Sequence, residues 1–172
     1  MLFSSCIDNK KSSSTGRSGT ASSAGSRNME RVDEFMRHGP AFPIGSTLVE
    51  IKKNFGTPLK QTVVKKQNIH DPSLVDAIYK WYYDGLYLEM YHVTGMNKDI
   101  LLVLEVTGDQ FPITYGLSVG SSKEKVRKAL GGPNEEKPAL WRYFASDFIM
   151  GSFEFAFQND TVVSIRWHYT ID

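Results

Sequence analysis

The sequence predicts an α+β fold made of two tandem repeats, each a short helix plus antiparallel β-hairpins, with the helices on one face of the sheet. Three observations predict it. A helix pattern with matching start and stop residues occurs twice. Apolar and polar residues alternate through two hairpin-like segments. Residues 10–27, by contrast, have no apolar period at all. The expected organisation is a disordered tether over residues 1–28, a first α+β repeat over 29–110 and a second over 111–172.

Lys10 to Arg27 is almost entirely Ser, Gly, Thr, Ala and basic residues, too polar to bury a core, and reads as a flexible linker. The core must come from the rest. A chain of 172 residues with 41% hydrophobic content has enough apolar surface for one.

Ile44–Pro58 aligns without gaps with Val119–Pro133, 75 positions on, with identities at Gly45 and Gly120, Ser46 and Ser121, Lys53 and Lys128, Gly56 and Gly131, and Pro58 and Pro133. Each copy reads as a helix with its own punctuation. Thr47 to Glu50 and Ser121 to Glu124 fit the capping box, in which a hydroxyl accepts from the first free N–H groups. Leu48, Ile51 and Phe55 share one helical face, as do Val126 and Leu130 with Ala129 beside them. Gly56 and Gly131 can close the helix in the left-handed region, and Pro58 and Pro133 stop its continuation. These glycines thus have structural roles and require no phosphate.

Trp81-Tyr82-Tyr83 and Trp141-Arg142-Tyr143 mark strands 60 positions apart, so the first copy is 15 residues longer between helix and tryptophan. The extra length falls around Lys65 to Ser73 and is expected as a protruding loop. Leu86 to His92 should pair with Ile100 to Thr107, and Phe153 to Phe157 with Val162 to Ile171 across a turn at Asn159-Asp160. Strand parity puts Leu86, Leu88, Met90, Ile100, Leu102, Leu104 and Val106 on the packed side. Phe153, Phe155, Phe157, Val163, Ile165, Trp167, Tyr169 and Ile171 follow in the second hairpin. The opposite side then carries Tyr87, Glu89, Tyr91, Glu105, Glu154, Arg166 and His168, extended by Lys80, Tyr82 and Arg142.

The pattern Gly-Ser/Thr, short helix, Gly-x-Pro and hairpin resembles the SmpA/OmlA outer-membrane lipoprotein domain, and its tandem form is similar to the β-lactamase inhibitor protein family. The resemblance spans about Phe42 to Ile171. It implies one curved sheet whose exposed aromatic face grips another protein, with Gly45, Gly56, Pro58, Gly120, Gly131 and Pro133 in structural positions. Inhibitor-like members carry disulfides, which the single Cys6 cannot supply.

Met1-Leu2-Phe3-Ser4-Ser5-Cys6 resembles the end of a bacterial lipoprotein signal: an apolar stretch, small residues, an acylated cysteine and then a tether. A complete signal has a basic start and a longer apolar run, so this reading requires a native start upstream of Met1. The alternative is an unstructured leader with an incidental thiol. No other segment carries the roughly 18 apolar residues of a membrane span.

A net charge of +1 gives no global attraction to nucleic acid, and Lys52-Lys53 and Lys65-Lys66 read as solvated faces. His38, His70, His92 and His168 are scattered, without metal spacing or a glycine-flanked nucleophilic serine. His70-Asp71 is the best catalytic candidate, but adjacent side chains point apart and Pro72 favours a turn. Asn159-Asp160-Thr161 fits a glycosylation acceptor but is better read as turn chemistry.

The expected function is a non-catalytic extracytoplasmic protein-binding module, either an envelope lipoprotein anchored through Cys6 or an inhibitor or immunity-like protein for a secreted enzyme, placed in the periplasm or on the outer membrane where an upstream signal exists. Its expected binding face is Tyr82, Tyr87, Glu89, Tyr91, Arg142, Glu154, Arg166 and His168, because Tyr and Arg supply area and hydrogen bonds at low entropy cost. No cofactor, metal or nucleic acid is expected. The alternative is an enzyme or small-ligand protein with a pocket between the repeats.

Overall fold

The computed structural model describes residues 20–68 and 70–170. In chain order these form α1 (Thr20–His38), α2 (Leu48–Phe55), β1 (Lys60–Gln67), β2 (Val75–Tyr83), β3 (Leu86–Val93), β4 (Lys98–Val106), α3 (Lys123–Leu130), β5 (Glu135–Lys137), β6 (Leu140–Phe144), β7 (Gly151–Gln158) and β8 (Thr161–Tyr169). The fold is α+β: three helices, among the described residues, and one eight-stranded antiparallel sheet ordered β1-β2-β3-β4-β8-β7-β6-β5. Each half is a four-strand meander. The halves meet where β4 pairs with β8, Leu104 opposite Trp167 and Glu105 opposite Arg166.

Helix α1 corrects the expected tether, because it begins at Thr20, inside the segment expected to be disordered. Val32, Phe35 and Met36 sit at helical spacing and are buried. The Phe35 ring lies 4.7 Å from Phe153 and 5.5 Å from Trp167. The Phe35 carbonyl then accepts from Gly39 N at 2.8 Å and from Trp167 Nε1 at 3.2 Å. A Cβ at Gly39 would lie 2.4 Å from that carbonyl, so only glycine lets the helix end meet the sheet here. Cys6 lies outside the described residues.

Helices of eight residues are too short to be stable alone and depend on the face they bury. Ile51 in α2, and Val126 and Leu130 in α3, are fully buried. Thr47 Oγ1 accepts from Glu50 N at 3.2 Å, whereas Glu50 Oε2 reaches back to Ser46 N at 2.8 Å. That bond holds the Glu50 carboxyl below its ordinary value. In α3 the cap is Ser122, whose Oγ accepts from Lys125 N at 3.2 Å. The box expected from Ser121 is therefore displaced by one residue: Ser121 is buried and its Oγ accepts from Ser118 N at 3.0 Å.

Several contacts recur in both halves. Lys52 lies over the Trp81 ring at 5.2 Å and Arg127 over Trp141 at 4.5 Å. Tyr83 Oη donates to Gly56 O at 3.4 Å, and Tyr143 Oη to Gly131 O at 3.0 Å. Lys60 pairs with Tyr82 as Glu135 pairs with Arg142.

Two β-bulges revise the expected packed side. The register of β3 and β4 shifts between Glu89 and Met90, so Met90 faces Leu101 and Ile100 faces Tyr91. Leu101 packs against the core in place of Ile100 and Leu102. The shift between Ala156 and Phe157 likewise sets Phe157 opposite Val162. Val162 is 1% exposed and Val163 39%, the reverse of simple alternation. Asn159 and Asp160 both have positive φ, 49° and 57°, in the tight turn expected there. Ile171 lies outside the described residues.

The extra length of the first copy is also not the loop expected over Lys65 to Ser73. It lengthens a hairpin: β1 runs on to Gln67, which pairs with Val75, and only residues 68–74 connect the strands.

Candidate functional site

The helices pack on one sheet face, and strand parity sends the other side chains outward. Cross-strand partners share a face. Tyr82 opposite Tyr87, Lys80 opposite Glu89, Tyr87 opposite Glu105, Glu105 opposite Arg166, Arg166 opposite Glu154 and Glu154 opposite Arg142 therefore form one outer surface. Val103 opposite His168 extends it. All eight residues singled out from the sequence lie on this face. Sequence reasoning missed Ile78, Ile100, Val103 and the exposed Phe144, which the pairings also place there. The bulge hid Ile100. Phe144 carried a signal, since it lies two residues beyond Arg142 on one strand.

The centre of the face is aromatic. The Tyr82 and Tyr87 ring centroids lie 4.6 Å apart. Lys60 sits 5.4 Å over Tyr82, and the Arg166 guanidinium 5.7 Å over Tyr87. With Tyr83, Leu86, Glu105 and Thr107, the residues Tyr82, Tyr87 and Arg166 line an open depression of about 310 Å³ across the seam between the halves. Arg166 Nε is withdrawn from solvent without a hydrogen bond, and its nearest acidic oxygen is Glu105 Oε2 at 3.6 Å. That spacing exceeds an ordinary hydrogen bond, so the ion pair is loose.

Around the centre, polar groups hold one another. Lys80 Nζ is 3.2 Å from Glu89 Oε1, which also accepts from the Tyr87 hydroxyl. Arg142 reaches Glu154 at 3.0 Å and Glu135 at 3.2 Å. His168 Nε2 stands 3.7 Å from Glu154 Oε1. Burial of the Tyr87 ring, reinforced by its bond to Glu89, pushes its hydroxyl well above the usual tyrosine range. Tyr87 is accordingly a neutral donor, and not a base.

Tyr91 has a different role. Its hydroxyl donates to Asp76, which is fully buried and also accepts from Asn68 Nδ2 at 2.9 Å and Thr94 N at 2.9 Å. The bond to Asp76, with burial second, raises the Tyr91 hydroxyl. The same bond, with that from Thr94 N, holds the Asp76 carboxyl below its ordinary value. Nothing in the sequence marked Asp76, because a charged residue in a strand normally reads as solvated.

His70 and Asp71 do not form a pair. Asp71 Oδ1 accepts from Ser73 N at 2.9 Å and from its hydroxyl at 2.6 Å, while Asn68 Oδ1 accepts from His70 N at 2.8 Å. Those bonds close a turn. Among the described residues no three His, Cys, Asp or Glu side chains stand close enough to share a metal, and no helix is long and apolar enough to cross a membrane. Comparison of the chain with protein-family models, curated proteins and solved structures finds no match.

Proposed function

We propose that this chain is a non-catalytic, extracytoplasmic protein-binding module acting through its outer sheet face. The observation that carries the reading is the row Tyr82, Tyr87, Glu105 and Arg166. Two tyrosines with rings tilted against each other at 4.6 Å and a loosely paired arginine lie in an open depression with no helix over them among the described residues. Such a patch supplies apolar area, donors and a cation whose pairing can be exchanged for a partner's carboxylate. The bond from the Tyr87 hydroxyl to Glu89 and the packing of Arg166 over the Tyr87 ring hold these side chains in advance, which lowers the entropy lost on docking.

The module is best understood as a duplicated unit of the SmpA/OmlA kind. Supporting this are the 75-position spacing of caps Thr47 and Ser122, the positive φ at Gly56 (78°) and Gly131 (80°), and the repeated Tyr83 to Gly56 and Tyr143 to Gly131 bonds. Cys6 would tether the module to a membrane once acylated. That part is tested by Cys6→Ser in the full-length native protein, which should move it from the membrane fraction to the soluble one.

The binding reading is tested by affinity capture from a bacterial envelope extract, using wild type beside the Tyr87→Ala/Arg166→Ala variant. A protein held by wild type and absent from the folded variant supports the face. Equal capture by both would move the contact elsewhere.

A further inference from the structure

We propose that β1 is a docking edge that accepts an extended acidic segment of a partner protein as an added strand. β1 lies at the end of the sheet, so among the described residues one side of its backbone ladder is free. All eight of its residues, Lys60–Gln67, are exposed, on both faces. Its pairing with β2 runs from Lys60 opposite Tyr82 to Gln67 opposite Val75 without a bulge, and it contains no proline.

Proteins usually protect a sheet edge by shortening, bending or covering it. The opposite edge follows that rule, since β5 has three residues, Glu135–Lys137. β1 occupies the equivalent place in the first half and continues for five more residues, Val63 to Gln67. None of those five is buried, so the core does not require the extension. It is nonetheless held firmly. The buried Asp76 ties Asn68, Tyr91 and Thr94 together, Thr94 Oγ1 donates to Val75 O at 2.7 Å, and Asn68 N to Leu74 O at 3.1 Å. A buried polar staple therefore keeps an otherwise solvent-bathed strand straight, which suits strand addition.

Charge selects the occupant. β1 carries Lys60, Lys65 and Lys66 and no acidic residue. Lys65 and Lys66 point to opposite faces, so a matching strand carries carboxylates on both faces, with β-branched residues beside Val63 and Val64. The chain's own first 19 residues hold Lys10, Lys11 and Arg17 against Asp8, the wrong sign. A second copy offering β5 has only three residues there, with Glu135 already paired to Arg142 and Glu136 to Arg127.

The test uses the full chain, isotopically labelled, and a blocked ten-residue peptide of Val, Thr and Glu, followed by amide chemical shifts and hydrogen exchange. The peptide should shift β1 resonances and slow exchange at alternate amides of Lys60–Gln67. Lys65→Glu/Lys66→Glu should weaken it about tenfold or more, from lost attraction and new repulsion. Tyr87→Ala/Arg166→Ala should bind it as wild type does, so this edge and the outer face stand or fall separately. The proposal is overturned by equal binding of a peptide with alternate amides methylated, which cannot form the ladder. Equal binding of a lysine-for-glutamate peptide, shifts centred on Tyr87, dimerisation through β1, or no shift at millimolar peptide would each overturn it too.

Discussion

Arg166 on β8 lies over the ring of Tyr87 on β3, 5.7 Å from its centroid, reaching across β4 and thus across the seam between the two halves of the sheet. The contact uses the face of the ring and leaves the phenol to Glu89. Exposed cation–π contacts contribute about 0.5–1 kcal/mol. Arg166→Ala should therefore lower stability by about 1 kcal/mol or less in chemical denaturation. A loss comparable to that of a core residue would mean that the arginine holds the halves together.

The inner face should respond very differently. Phe155 and Trp167 are fully buried, and Trp167 also bonds to the Phe35 carbonyl. Phe155→Ala or Trp167→Ala should cost about 3–5 kcal/mol, enough to unfold a marginal domain. Circular dichroism melts of the two sets of variants make the comparison.

Helix α1 should be indispensable. A chain starting at Gly39 loses Val32, Phe35 and Met36 from the core and uncovers Phe153 and Trp167. It should fail to give a cooperative melt, whereas a native-like melt would show that the core does not depend on this helix.

The corrected cap is open to direct measurement. Ser122→Ala should destabilise by about 1 kcal/mol, as Thr47→Ala should in α2. Glu124→Ala should change little, because Ser122 rather than Ser121 caps the helix.

Much of this was legible in the sequence because punctuation and parity are local. Thr47, Gly56 and Gly131 announce their roles within one turn, and the alternation from Leu86 to Met90 and from Phe153 to Phe157 needs only the two-residue strand period. What escaped was non-local or irregular. Val163 follows the alternation but is exposed, because one extra residue in β8 reverses the parity. Val162→Ala should thus cost about 2 kcal/mol and Val163→Ala about 0.5 kcal/mol or less. The aromatic row of the outer face was visible from parity, but the Asp76 staple depends on Asn68, Tyr91 and Thr94 meeting from three segments. α1 was obscured because its start is rich in Ser and Gly, and its apolar spacing appears only from Val32 onward.

Asp76 gives the fold a pH signature. Its carboxyl is held below the ordinary value by Tyr91 and Thr94. A carboxyl with a lower pKa in the folded state stabilises the fold above its unfolded pKa, about 3.9, and loses that contribution as pH falls through the folded value. Tyr91→Phe should raise the Asp76 pKa and move the acid loss to higher pH. Carboxyl NMR titration reads the first effect, and melting temperature against pH the second. An unchanged Asp76 titration in Tyr91→Phe would show that the tyrosine does not stabilise the carboxylate.

The central claim is that the outer sheet face binds a protein partner, and the dissociation constant of the captured partner tests it most directly, measured for wild type and for Tyr87→Ala/Arg166→Ala. The account predicts a loss of about thirtyfold or more, corresponding to roughly 2 kcal/mol at a binding hot spot, with the variant still melting cooperatively. Full-strength binding by a folded variant would contradict it.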